Sequence, residues 1–211
     1  MKLTRRIQGV DLHLNCVESL APQGQALLDT FERLYSAPGS LRAGAQIRFG
    51  WSLLRILEDD EGLVVGEPDF ERRPGEVWIP TVDTTLAVET EQVRLLHRLR
   101  ISGQDTYFDS VLFAASGSLD LDDVFLKRSV GTLETDSGWA LGSLSNPEAL
   151  TEGELEPVPI SRLVVTHRFL MQALALPTGS IAIYKNRELH DVLDETGHTL
   201  FRSFSEDSER R

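Results

Sequence analysis

Residues 10–16 read VDLHLNC, and their strict alternation of apolar and polar side chains is the period of a half-buried β-strand. Pro22 and Gly24 then open a helical stretch, in which apolar residues recur at helical spacing up to Tyr35. Residues 47–53 alternate again and predict a second strand. Because strands and helices follow one another without a regular alternating order, the sequence predicts an α+β fold with mixed or antiparallel sheets.

The later part of the chain repeats these patterns less regularly. A helical stripe returns over 81–98, and strand patterns recur at 124–130 and 181–184. The apolar triplet 163–165 also predicts a strand. Several Pro and Gly breakers predict that residues 142–161 are largely irregular.

The composition predicts a globular protein with one or two units. The chain has 211 residues, of which 41% are apolar and 26% are charged, enough to bury a sizeable core. The small residues 116–118 come directly before an acidic cluster and mark the expected boundary. The prediction is an N-terminal α+β unit over 1–116, a C-terminal α+β unit over 117–203 and a polar tail over 204–211.

The negative charge of the chain is concentrated in a few segments. The net charge is −12, and Asp and Glu bunch at 58–61 and 120–123. The longest such segment, residues 129–161, holds six carboxylates and no Lys, Arg or His. A segment of this kind repels nucleic acid and attracts cationic surfaces. We therefore expect a cationic protein partner and no nucleic-acid partner.

Cysteine usage and hydropathy indicate a cytoplasmic protein. Cys16 is the single cysteine and cannot form an intramolecular disulfide, which is typical of a reducing compartment. No apolar segment follows the basic start in the manner of a secretory signal, and no run approaches the roughly 18 apolar residues of a membrane span. We expect no contact with a membrane.

Catalytic and metal-binding motifs are missing from the sequence. It has no phosphate-binding GK[ST] loop, no dinucleotide G-x-G-x-x-G, no H-E-x-x-H and no G-x-S-x-G. A single cysteine excludes the usual thiolate zinc site. His190 and His198 flank three carboxylates, but their spacing of eight matches no standard metal site. The sequence predicts no catalysis, no cofactor and no metal.

The three tryptophans differ in their surroundings. Trp51 and Trp78 lie in alternating or short apolar strands and are predicted to be core residues. Trp139 lies within the acidic segment 129–161. Two interpretations stay open for it, a side chain folded over its own domain or an exposed anchor for a partner.

Residues 135–142, TDSGWALG, resemble the DSGW stretch of a bacterial family known as immunity protein thirty-three, formerly a domain of unknown function. In that family a strand precedes the motif, as residues 124–128 would here, and an acidic stretch follows. The resemblance extends over roughly residues 120–200. The family is assigned by genomic context to the neutralisation of polymorphic toxins, so the resemblance implies binding rather than catalysis.

The sequence is therefore compatible with two functions. The first is a non-catalytic acidic binding protein that occludes a basic toxin domain, with the candidate partner-binding residues Glu134, Asp136, Trp139, Glu152, Glu154 and Glu156. The alternative is a small enzyme or ligand-binding protein with a pocket between its two halves, where the carboxylates of 120–123, or His190 with Asp191, would supply acid–base chemistry. A third possibility is that the acids only keep the protein soluble. Convergent carboxylates would favour the pocket, and a spread, solvated patch would favour the interface.

Overall fold

The computed structural model describes residues 1–35, 37, 39–133, 135–152 and 154–203, with the side chains of Thr151 and Glu152 outside that description. The fold is α+β, as the sequence predicts. The chain divides into two compact units, Met1–Glu91 and Gln92–Arg211, and the division falls within a helix.

Within the described part of unit 1, six strands form one sheet in the order β1-β2-β5-β4-β3, with β6 paired to β5. The strands are β1 (Lys2–Ile7), β2 (Val10–Asn15), β3 (Gln46–Phe49), β4 (Ser52–Asp59), β5 (Gly62–Pro68) and β6 (Trp78–Ile79). The helices are α1 (Ala21–Leu34) and the first part of α2 (Asp83–Leu99), with a 3-10 turn at Glu18–Leu20. β2 and β5 run parallel, and the other paired strands run antiparallel.

The core of unit 1 lies between α1 and one face of this sheet. Leu27, Leu28 and Phe31 form the buried stripe of α1, and Pro22 fits its first turn, where a backbone N–H would be unpaired anyway. Leu12 and Leu14 of the alternating segment lie opposite, both fully buried. The strand predicted over 10–16 is therefore confirmed, but its burial departs from strict alternation, since His13 is buried as well and Val10 is exposed.

The strand predicted over 47–53 is wrong in its middle. β3 and β4 form a hairpin there, in which Phe49 pairs with Ser52. Gly50 sits at the turn with a φ of +53°, a conformation that glycine adopts with little strain. The burial pattern changes phase at the turn, because Ile47 and Phe49 pack against the core in β3 whereas the buried positions of β4 begin with Ser52 and Leu54.

Among the described residues of unit 2, seven strands form a sheet in the order β10-β7-β9-β8-β11-β12-β13. They are β7 (Val111–Ala115), β8 (Val124–Arg128), β9 (Asp136–Ser143), β10 (Leu155–Pro159), β11 (Ile181–Lys185), β12 (Glu188–Leu193) and β13 (Thr199–Arg202). The helical segments are the end of α2, α3 (Ala149–Glu152), α4 (Ile160–Thr166) and 3-10 turns at Ser118–Asp120 and Arg168–Ala173. β7 and β9 run parallel, and the other pairs run antiparallel.

The two units of the structure meet in sequence between Glu91 and Gln92, not at the predicted boundary at residues 116–118. β7 lies N-terminal to that point, yet it pairs with β9 and β10 and so belongs to unit 2. The pairing joins segments that are distant in sequence. A composition shift in one loop carries no information on such pairing.

Two local predictions in unit 2 are also corrected. The triplet 163–165 lies in α4 rather than in a strand, because a short apolar run fits either structure when its neighbours are not known. The segment 142–161 is not irregular, since β9 extends to Ser143 and β10 follows. Pro157 and Pro159 occur in β10 because it is an edge strand. Glu154 O and Ile160 N form hydrogen bonds with the two serines that flank β7. Pro157 and Pro159 lie at the intervening positions, whose backbone groups face away from β7.

None of the helices in the described residues is long and apolar enough to cross a membrane.

A buried carboxylate joins β5 to α2 in unit 1. Glu67 is fully buried, and its two oxygens accept hydrogen bonds from Thr84 N at 3.1 Å and Thr85 N at 2.6 Å, in the first turn of α2. Trp51 Nε1 donates to the carbonyl oxygen of Thr85 at 3.2 Å, which holds the same turn from the other side. Burial raises the pKa of Glu67 to about 7, despite these hydrogen bonds.

We predict a pH-dependent stability that originates from Glu67. Its folded pKa of about 7 exceeds the ordinary 4.5, so the folded chain binds more protons between these values. The free energy of unfolding should therefore fall by roughly 3 kcal/mol as the pH rises from 4.5 to 7. Urea unfolding of wild type and Glu67→Gln across this range measures the effect. The dependence of the free energy of unfolding on pH should vanish in Glu67→Gln. It should persist in Glu58→Gln, a control at an exposed carboxylate of β4. Equal slopes in all three proteins would contradict the prediction.

Candidate functional site

The connection between β8 and β9, residues 129–135, is the candidate site and is called the binding loop. Ser129 N donates to Gly138 O at 2.8 Å, which closes the base of the loop. The described residues of the loop are all exposed, and the predicted site residue Glu134 lies outside the described residues. The loop begins directly after the buried Arg128 and ends at the buried strand β9.

Asp136 fixes the conformation of the binding loop. Its Oδ2 accepts hydrogen bonds from Thr132 N at 2.8 Å and Thr132 Oγ1 at 3.1 Å, and its Oδ1 accepts one from Gly138 N at 2.8 Å. Its own N–H donates to Leu133 O at 3.0 Å. Partial burial acts to raise the pKa of Asp136, but the hydrogen bonds outweigh it and lower the pKa below its ordinary value. The carboxylate is thus a structural part of the loop.

Gly138 is required where the loop returns into β9. Its φ is +76°, and a Cβ at this position would lie 2.1 Å from Ser129 O. Any other residue would break the base of the loop or move the backbone. Ser137 Oγ donates to Val111 O at 2.7 Å and attaches the same turn to β7.

Trp139 is buried, so the prediction that it contacts a partner is wrong. Its exposure is 0%, and Nε1 donates to Thr106 Oγ1 and to Leu174 O, both at 3.2 Å. Alternation along β9 directs it into the core, because the strand is covered on that face. Of the two interpretations that the sequence leaves open, the side chain folded over its own domain is the observed one. Trp139 anchors the strand that carries the loop.

A buried cation supports the same anchor. The guanidinium of Arg128 lies 5.4 Å from the Trp139 ring centre and donates to Gln104 O at 2.8 Å, Asp105 O at 2.9 Å and Leu176 O at 2.6 Å. Burial lowers the pKa of Arg128 to about 10, so it remains protonated at neutral pH. The residue before the binding loop is therefore held by three main-chain carbonyl groups.

Two apolar side chains project from this loop. Val130 is 78% exposed and Leu133 is 70% exposed, the two highest values of any large apolar residue in the described part of the chain. Neither residue is among the site residues that the sequence predicts. Their exposure is indicated in the sequence only by the position of two apolar residues in a short polar run beside a turn. Exposed apolar side chains on a fixed loop are typical of interaction sites.

The remaining predicted site residues lie elsewhere on the sheet. Glu154 and Glu156 are exposed at the β10 edge, and the side chain of Glu152 lies outside the described residues. Pairing through β7 places Glu156 about 10 Å from Asp136 along the strands and about 10 Å across them. Because Asp136 and Glu156 are this far apart and Trp139 is buried, the predicted residues that the structure describes do not form one surface.

The sheet groups the carboxylates differently from the sequence. Asp123 O accepts a bond from Leu144 N, and Ser116 N donates to Glu154 O, so two separate acidic segments meet at one end of the sheet. This surface is called the acidic end. Its exposed carboxylates are Asp120, Asp122, Asp123, Glu148, Glu154 and Glu156. They spread over turns and an edge strand rather than converge on one point.

The carboxylate and histidine of the alternative function form a closed network. His190 Nδ1 lies 2.8 Å from Asp191 Oδ2, and Arg202 Nε donates to Asp191 Oδ1 at 2.7 Å. Burial acts to raise the pKa of Asp191, but the bonds and charges of Arg202 and His190 lower it below the ordinary value. Both oxygens of this carboxylate are thus engaged. In the described ranges, no group of three or more His, Cys, Asp or Glu side chains could hold a metal ion.

We predict that Asp136→Ala frees the binding loop without unfolding unit 2. The loss of its acceptors should speed hydrogen exchange at the amides of Thr132 and Gly138 at least tenfold, because bonds to a charged group contribute about 1.5–3 kcal/mol. Hydrogen exchange measured by NMR tests this, with Glu156→Ala as a control at an exposed carboxylate. In wild type, the same protection should be lost as the pH falls through the lowered pKa of Asp136. Unchanged exchange in Asp136→Ala would show that other contacts hold the loop.

Comparison of the chain with protein-family models, with curated proteins and with solved structures found no match in any of the three.

Proposed function

We propose that this chain is a non-catalytic protein-binding module of the cytoplasm, which uses the binding loop to contact a cationic protein. The observation that carries the proposal is the pair of exposed apolar side chains, Val130 and Leu133, on a loop of fixed conformation. The resemblance of the DSGW stretch to immunity proteins suggests the kind of partner, a basic toxin domain that the module would occlude.

The fixed conformation of the loop favours binding because little entropy is lost on contact. Ordering a residue costs about 1–2 kcal/mol in backbone freedom, and a mobile loop would lose this on association. The hydrogen bonds of Asp136 and the closure at Gly138 order the loop before any partner arrives. The motif thus serves to present the loop, and its neighbours Val130 and Leu133 make the contact.

The apolar side chains supply most of the contact energy in this proposal. Full burial of a Val or Leu side chain contributes about 1.5–3 kcal/mol. Two such side chains in an apolar depression of the partner would account for a 100-fold or larger gain in affinity, since 1.4 kcal/mol corresponds to tenfold. An apolar centre surrounded by polar residues is the usual arrangement of protein interfaces.

The charge of the chain selects a cationic partner. A net charge of −12 attracts basic proteins and speeds their association, and it disfavours nucleic acid. Glu134 in the sequence of the loop and the acidic end of the same sheet contribute to this field. A toxin domain that acts on nucleic acid needs a basic active surface, which the net negative charge of the chain would attract.

We predict that Val130→Ser/Leu133→Ser weakens partner binding while the fold is kept. Both side chains are exposed, so their replacement should leave the melting temperature within about 2 °C and weaken binding at least tenfold. Tagged wild type and variant are used for affinity capture from the native lysate at low and high salt. Retained basic proteins are then identified by mass spectrometry, and their affinities are measured with purified partner.

The matched control is Leu34→Ser/Val165→Ser, which removes two exposed apolar side chains outside the loop. It should retain the partner as wild type does. Glu154→Lys/Glu156→Lys should slow association and reduce its salt dependence without abolishing the complex. A partner that is held equally by the loop variant and by wild type would exclude the binding loop as the contact.

A further inference from the structure

A basic surface at the end of α2 stands out in this acidic chain. Arg94 and Arg98 lie one helical turn apart on the same face, and Arg100 follows the helix end. All three are exposed, and within the described residues none of them has a carboxylate partner. These three arginines are called the basic patch. Like charges at this spacing repel one another, so the helix carries them at a small cost in stability.

Arg100 occupies a backbone position that suits glycine. Its φ is +56°, and the bonds from Arg100 N to His97 O and from Ile101 N to Leu96 O form a closing motif in which Gly is preferred at this position. A side chain there costs about 1 kcal/mol. Arg187 has a similar φ of +64°, but its Nε donates to Asp122 Oδ1 at 2.6 Å. Arg100 has no such bond in the described structure.

The basic patch and the β10 part of the acidic end lie at opposite edges of one sheet. Arg98 stacks on Phe201 of β13 at 4.2 Å, whereas Glu154 and Glu156 lie at the edge strand β10. Six strand spacings separate these edges, roughly 29 Å at about 4.8 Å each. Glu154 and Glu156 are therefore too far from Arg98 to neutralise it within one copy.

We propose that the basic patch binds the acidic end of a second copy of this chain. The two surfaces have opposite charge, and each copy carries both of them. A contact between two different surfaces is head-to-tail, so it continues into chains or closes into a ring rather than stopping at a dimer. Pro157 and Pro159 remove two of the three outward N–H donors of the β10 edge, which disfavours the addition of a strand there. Side-chain ion pairs therefore make the contact.

Salt concentration distinguishes this contact from the overall repulsion between copies. At about 0.1 M salt the screening length is about 10 Å, so distant charges are screened while paired groups within about 4 Å still attract. At about 1 M the screening length falls to about 3 Å and the pairs weaken. Association should therefore be observed at 0.1 M and be lost at 1 M.

The test is sedimentation velocity of the full chain over a range of concentrations. Wild type at 0.1 M salt should show an average mass that rises with concentration beyond the dimer. Arg94→Glu/Arg98→Glu should remain monomeric, and Arg72→Glu/Arg73→Glu, the same charge change at exposed arginines of unit 1, should behave as wild type. A monomeric wild type at all concentrations, or a mass that is insensitive to salt, would overturn the proposal.

A mixing experiment tests the pairing of the two surfaces. Glu154→Lys/Glu156→Lys alone should also lose association. An equimolar mixture of this variant with Arg94→Glu/Arg98→Glu should associate again, since each now complements the other. If the mixture stays monomeric although wild type associates, a different pair of surfaces makes the contact. The binding loop takes no part in this contact, so the result is separate from that of the partner capture.

Arg100→Gly should change stability and association in opposite directions. Glycine relieves the strain at positive φ, so the melting temperature should rise by about 2 °C. The removal of one cation should weaken association severalfold. A variant that is more stable and associates as wild type does would exclude Arg100 from the contact.

Discussion

The binding loop depends on a buried charge. The guanidinium of Arg128 has left water and is bonded to carbonyl groups of Gln104, Asp105 and Leu176, which no strand pairing satisfies. A buried cation costs several kcal/mol unless its donors are matched, and the removal of one partner leaves the others unsatisfied. Arg128 therefore joins the segment after α2, the segment before β11 and the end of β8. Because the binding loop starts at the next residue, its base is as fixed as the core of unit 2.

In the proposed function, the DSGW stretch holds the binding loop in place, and residues outside the stretch contact the partner. Asp136 bonds the loop, Gly138 permits its closure, and Trp139 is buried against Thr106 and Leu174. Neither the Asp136 nor the Trp139 side chain is available as an anchor, and Gly138 has no side chain, so substitutions in the motif should act through the order of the loop. The side chains that are free to contact a partner lie just before the motif. In the proposed function, their exchange would alter binding at little cost to the fold, which would allow the same scaffold to suit different partners.

Acidic and basic side chains are concentrated on different parts of unit 2. The sheet collects carboxylates from two sequence segments at the acidic end, while cations remain at the end of α2 near β13. Pro157 and Pro159 of β10 remove two outward N–H donors at the acidic edge, so in the proposed contact this edge acts mainly through its side chains. Screening by salt then sets the strength of such contacts, whereas the apolar contact of the binding loop is nearly independent of salt.

The sequence by itself determined the fold class and the local elements whose pattern is strong. Alternation over 10–16 and the helical stripe of α1 require only neighbouring residues, so they could be predicted. Tertiary structure alone decided that β7 joins unit 2, that Trp139 is buried and that separate acidic segments meet. Each of these depends on strand pairing between distant residues, and a composition shift or a charge run is compatible with many pairings. The exposure of Val130 and Leu133 is also decided by the tertiary structure. An apolar residue in a loop is buried or exposed according to which other segments pack against it.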